Sequence, residues 1–259
     1  MGAIIPKVRE GFDPTRPNPN PLGGHQADMC LYAAEQIDGY RASILKSPVN
    51  SKAREGQSYK GATTIVKIPI KDAVAPWWSG QVLWLESTAD GGLPHTRPPG
   101  YICLPKNIDA ARVDSVLLHE RVHLHQRRYP DIWIKFVKDK WNMEPWAGSL
   151  PTEIEKARRI NPDLIANLFF VWKKKWVSFA IYDDTGSPSL SAASTNWYNI
   201  DLKTTTRIPP DGWLDFFGKV DDDEHPWELA AYYIQDDTIK SPAKDLLMKA
   251  VPKLPSSFL

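Results

Sequence analysis

Cysteine is nearly absent from this 259-residue chain: it has Cys30 and Cys103, far apart and in no metal-like spacing. That excludes the disulfide scaffold on which small secreted domains depend. Charge of one sign is missing as well. Lys and Arg number 32 against 31 Asp and Glu, a net charge of +1 with pI near 7.7. No global field therefore draws the chain to nucleic acid or to a membrane surface. Nor is there a run of about 18 apolar residues, the length a membrane-spanning helix needs. The opening MGAIIPKVRE lacks the apolar core of a secretory signal, and Pro6 stands where a myristoylation signal places Ser or Thr. These absences lead to the expectation of a soluble, intracellular protein.

What the chain has in excess is proline and tryptophan. The 23 Pro residues are nearly twice the usual ~5% and predict short elements joined by stiff connections. The 11 Trp and 9 Tyr supply large buried areas to a sequence that is 42% hydrophobic. Residues 1–24 (with GFDPTRPNPNPLGG) read as an extended Pro-rich arm, and 251–259 (VPKLPSSFL) as an irregular tail. Residues 25–250 between them read as one α+β domain.

Periodicity places a first helix over Gln26–Leu45, with Gly39 its weak point, and a loop over 46–62. Strands follow at Thr63–Ile70, Gln81–Glu86 and Tyr101–Leu104, with the Gly- and Pro-marked loop Asp90–Gly100 before the last. A helix is predicted over about 110–127, capped by Asp109 or Asp114, and Pro130 separates it from another over Asp131–Trp141. Residues 142–163 read as turn, short helix and turn, the last marked by Asn161-Pro162-Asp163. Leu168–Trp172 and Trp176–Tyr182 form a hairpin around Lys173-Lys174-Lys175, part of an insertion over about 167–208 that ends in a strand at Asn196–Leu202. A long loop over 203–226, with the acidic run Asp221–Glu224, leads to a helix from Pro226 and a short one at 242–250.

The chemistry concentrates in DSVLLHERVHLHQRR, Asp114–Arg128. His119, Glu120 and His123 spell H-E-x-x-H. Residues four apart lie one turn above each other on a helix, so both imidazoles reach one metal ion with Glu120 beside it. The bland alternative is a helix with two packed or solvated histidines. A catalytic zinc site needs a third protein ligand and an open position. Tyr129 occupies the position of a third histidine six residues on, and His125 points about 200° away from His123. A carboxylate on a later helix remains, and Glu228 in HPWELAAYYI is the foremost candidate, followed by Glu224, His225, Glu153 and Glu155. Glu228 also fits another role. With His225 as N-cap and Pro226 at N1, it stands at N3, where Glu closes a capping box.

HERVH followed by Gln126, with WELAA on a later helix, resembles the gluzincin-type zinc metallopeptidases. The resemblance covers the two motif helices and implies a zincin-like fold, the motif helix lying behind a small sheet. It further implies Zn2+ held by His119, His123 and Glu228, Glu120 as general base, and a peptide or protein substrate. Tyr232 stands where several gluzincins carry an acidic residue. Tyr232, Tyr233, His225 and His95 are candidate donors to the oxyanion, and Tyr101–Leu104 is the strand expected to pair with substrate. Two other readings stand beside the peptidase: a non-enzymatic assembly protein lacing to partners through its terminal arms, and a metal held for stability alone.

Overall fold

The computed structural model describes residues 26–57, 61–67, 81–164 and 168–253. The Pro-rich arm, Trp77-Trp78 and most of the tail lie outside them. The fold is mixed helix and sheet, as expected. Among the described residues no helix is long and apolar enough to cross a membrane.

The expected first helix breaks where glycine permits it. Gly39 takes φ +58, so the segment divides into α1 (Gln26–Asp38) and α2 (Tyr40–Lys46). A further turn, α3 (Pro48–Lys52), occupies the expected loop, started by the Ser47 side chain and Pro48.

Four strands make the first sheet: β1 (Gly61–Lys67), β2 (Gln81–Leu85), β3 (His95–Arg97) and β4 (Tyr101–Pro105), in the order β1-β2-β4-β3. β2 and β4 are parallel and both outer pairs antiparallel. Side-chain alternation divides its faces. Val82, Ile102 and Leu104 pack on Val116, Leu117 and Leu124 of α4 (Val113–Arg128), whereas Leu83, Leu85 and Cys103 pack on Leu31 of α1. The motif helix thus lies behind a small sheet. It is preceded by a 3-10 turn, Ala110–Arg112, and it is this turn that Asp109 caps.

Pro130 opens α5 (Pro130–Trp141), which Asn142 ends in a left-handed conformation. β5 (Met143–Trp146), in a stretch expected to be a turn, begins a second sheet, and α6 (Thr152–Ala157) follows it. The sheet continues through β6 (Phe169–Trp172), β7 (Trp176–Tyr182), β8 (Ala193–Asn199) and β9 (Thr204–Thr206), all antiparallel and in chain order. Lys173 and Lys174 make the β6–β7 turn with φ +50 and +57, the positive values of a tight hairpin.

The segment expected as a hairpin insertion belongs to this five-stranded sheet. Phe170, Trp172 and Trp197 on one face share a core with α5, α7 (Trp213–Phe217), α8 (Pro226–Gln235) and α9 (Pro242–Ala250). Trp133, Trp141, Trp213 and Trp227 are fully buried there. Truncating any one to alanine should cost about 3–5 kcal/mol. Val122 carries α4 into the same core, so the motif helix lies between the first sheet and the tryptophan core, with α8 against it.

Candidate metal centre

Two helices deliver the atoms that could hold a metal. On α4 the four-residue spacing brings the His119 and His123 Nε2 atoms to 3.0 Å. From the first turn of α8, Glu228 Oε2 lies 3.3 Å from the first nitrogen and 3.4 Å from the second. A tetrahedral zinc with bonds of about 2.0–2.1 Å holds its ligand atoms roughly 3.3–3.4 Å apart, so the three atoms already stand at the edges of such a site. Among the described residues this is the one His/Cys/Asp/Glu group placed to hold a metal.

Hydrogen bonds on the far sides of the rings give the triad its meaning. Gln126 donates its amide N–H to the Trp227 carbonyl at 3.0 Å, which turns its Oε1 to His123 Nδ1 at 2.8 Å. An amide oxygen only accepts, so His123 Nδ1 carries a proton. His119 Nδ1 meets Gln235 Oε1 at 2.9 Å. The two rings therefore turn their Nε2 atoms towards each other and towards a carboxylate. Three acceptors at such distances need a cation between them, a proton or a metal.

In the metal-free chain the cation is a proton. Burial opposes charge on His123, but Glu228 and Asp163 outweigh it and hold the imidazolium pKa up to about 10. Burial likewise opposes the Glu228 carboxylate, and the two histidines outweigh it and hold its pKa well below the usual range.

Glu228 is directed rather than merely present. The Asn161 amide donates to Glu228 Oε1 at 2.8 Å and to Glu224 Oε1 at 2.9 Å, leaving Oε2 for the histidines. The capping role falls to His225, whose Nδ1 accepts from Trp227 N at 3.2 Å, while its Nε2 donates to the Leu168 carbonyl at 3.0 Å. Burial keeps that ring neutral, with a pKa of about 4. His225 is thereby excluded both as a ligand and as an oxyanion donor.

Glu120 lines the same cleft as His119, Glu228, Tyr232 and His95. Its Oε2 is buried and has no hydrogen-bond partner among the described residues. Burial, reinforced by Asp163 and Glu228, pushes its pKa well above the ordinary value. Tyr232 packs edge-on against His119, its ring centroid 4.8 Å away. Burial and the Glu228 charge push its hydroxyl pKa up, so it stays a donor at neutral pH.

Other expected residues lie elsewhere. Tyr233 is buried in the tryptophan core and donates to the Phe217 carbonyl at 2.5 Å, so it is no oxyanion donor. His95 meets Leu93 O at 3.1 Å and stands 3.6 Å from Asp90. Glu224 is held by Arg159, Glu155 by Arg158, and Glu153 is exposed on α6. His125 does point away from His123, but into the core, where its Nδ1 accepts from Trp133 Nε1 at 2.9 Å. Within the acidic run Asp222 and Glu224 converge on Arg159, and Asp223 accepts from Trp213 Nε1.

Asn161 belongs to a strap, 158–163, threaded between the two sheets. Arg158 bridges Ile181, and Arg159 N donates to the Ala180 carbonyl at 3.0 Å. Ile160 N donates to Asn50 Oδ1 at 2.9 Å, and its carbonyl accepts from Arg54 at 3.1 Å. Arg127 donates to the Pro162 carbonyl, and Asp163 accepts from Thr96. Nothing local in Asn-Pro-Asp distinguishes this segment from an ordinary turn.

Comparison with protein-family models, with curated proteins and with solved structures finds no match to this chain. Its reading rests on the geometry.

Proposed function

We propose that this chain is a zinc-dependent metallopeptidase of the gluzincin type with a zincin-like core. His119, His123 and Glu228 hold Zn2+, and Glu120 is the general base. The observation that carries the reading is the convergence of two imidazole nitrogens and one carboxylate oxygen at 3.0, 3.3 and 3.4 Å. The cleft with its unpartnered Glu120 oxygen supports catalysis over a structural role. Structural zinc sites are closed by four protein ligands, whereas three leave a position for water.

Zinc bound here supplies Lewis acidity, which acidifies a water and polarises a peptide carbonyl. Glu120 accepts the proton released by the attacking water and delivers it to the departing amine. Gln126 and Gln235 fix the ring tautomers, and Asn161 keeps Glu228 presenting one oxygen. Tyr232 is the candidate donor to the oxyanion.

The assembly alternative draws on the terminal arms, and no observation on the described residues favours it. The test is metal content and peptide hydrolysis of the wild type beside Glu120→Gln. The variant should keep its zinc and lose about 10²–10⁴-fold in hydrolysis. Undiminished hydrolysis would remove Glu120 from the mechanism.

A further inference from the structure

Extended peptides are commonly held as an added strand on a sheet edge, main chain against main chain. The first sheet meets the cleft through β3: Leu93, Pro94 and His95 line it together with His119 and Glu120. β4, expected to pair with substrate, is central and filled on both sides by β2 and β3. The relevant edge is therefore the outer one of β3.

That edge has no N–H to give. Within β3 it is Thr96 whose N–H and C=O turn away from β4, and Pro94 and Pro98, two residues to either side, bring no N–H. Thr96 N donates to Asp163 Oδ1 at 2.5 Å, and its carbonyl accepts from Arg127 at 3.3 Å. His95, Thr96 and Arg97 are at most 2% exposed. The strap 158–163 lies where an added strand would run, tied to Thr96 through Asp163 and to β7 through Arg158 and Arg159.

The cleft also deepens into buried groups. Tyr40 donates to Asp90 Oδ1 at 2.7 Å, Arg54 Nε donates to the same oxygen at 2.8 Å, and all three residues line the cleft. Burial opposes the Asp90 charge, but His95 and Arg54 hold its pKa well below the carboxylate range. The walls are fixed by internal bonds rather than left free for a passing strand.

From the sealed edge we infer that the site takes short peptides or one end of a chain, and not the interior of an extended polypeptide. The inference rests on the metallopeptidase reading. Substrate is held by its reacting amide and one or two flanking residues, without strand addition.

The test uses the zinc-loaded full chain and two ladders of peptide hydroxamates, lengthened from one to six residues towards either terminus. Affinity should stop rising after the second residue in both ladders, changing by less than about threefold thereafter. Main-chain pairing over further residues would instead add about tenfold or more, and that result overturns the inference. So does internal cleavage of a long polypeptide blocked at both ends. Zinc-loaded protein that binds neither ladder overturns the substrate inference and leaves the metal site standing. A chain that takes up no zinc overturns the metallopeptidase reading itself.

Discussion

Replacing Asn161 with Leu removes the donor that directs Glu228 while nearly keeping the side-chain volume. The amide bonds lost are those to Glu228 Oε1 at 2.8 Å, to Glu224 Oε1 at 2.9 Å and from Asp163 N at 2.9 Å. A hydrogen bond to a charged group contributes about 1.5–3 kcal/mol. Loss of an outer partner from a metal ligand weakens metal binding about 10- to 100-fold, equivalent to about 1.4–2.8 kcal/mol. The two figures agree because one of the bonds reaches the ligand itself. Zinc affinity, measured by competition with a chromophoric chelator, should fall by that factor. With cobalt in place of zinc, Glu228 freed to use both oxygens should raise the coordination number and weaken the visible absorption band. Denaturation of the metal-free variant reports separately on the fold, since Glu224 and Asp163 also lose a partner. Affinity within threefold of the wild type, with an unchanged cobalt spectrum, would refute the role given to Asn161.

Acid should act through His225. Its folded pKa of about 4 lies below the ordinary 6.5, so the unfolded chain binds the extra proton between those values and stability falls as pH drops through that window. The loss is about 2 kcal/mol by pH 5, and His225→Asn, which can still cap α8, should flatten the slope in a pH series of denaturant titrations. Zinc must displace the proton that His123 holds up to about pH 10. Its apparent affinity should therefore rise with pH across the neutral range, by up to about tenfold per unit, as a calorimetric series would show. Gly91 takes φ +68, and a Cβ there would meet Leu190 Cδ1 at 2.9 Å. Gly91→Ala should cost about 1–3 kcal/mol in chemical denaturation while leaving zinc affinity unchanged.

The half of the site carried by one helix was legible from spacing, because H-E-x-x-H is a statement about a single turn. The approach of Glu228 from about a hundred residues away follows only from the need for a third ligand and from the gluzincin resemblance, and local chemistry also allowed a cap. What separates the two roles is tertiary: His225 caps α8 with its own ring, and Asn161 turns Glu228 towards the histidines. Asn161-Pro162-Asp163 carried the signal of a turn and does turn, with Asp163 N on Asn161 Oδ1. Its second task depends on partners 63 and 67 residues away, beyond the reach of any local pattern.

Periodicity read the longer helices well, and misread Met143–Trp146, a four-residue strand containing Pro145 whose pairing with β6 comes from the tryptophan core. Pro94 and Pro98 lie in plain sight. Their effect on the sheet edge became visible only once β3 was assigned, because alternation assigns meaning to positions only within a known strand.

In the proposed metal centre His119, His123 and Glu228 together bind one zinc ion. Elemental analysis after dialysis against trace zinc, on the wild type, His123→Ala and Glu228→Ala, tests it most directly. The wild type should hold about one zinc per chain, and both variants should lose it. Full retention in Glu228→Ala would contradict the assignment of the third ligand, and a wild type that binds no zinc would contradict the metal centre itself.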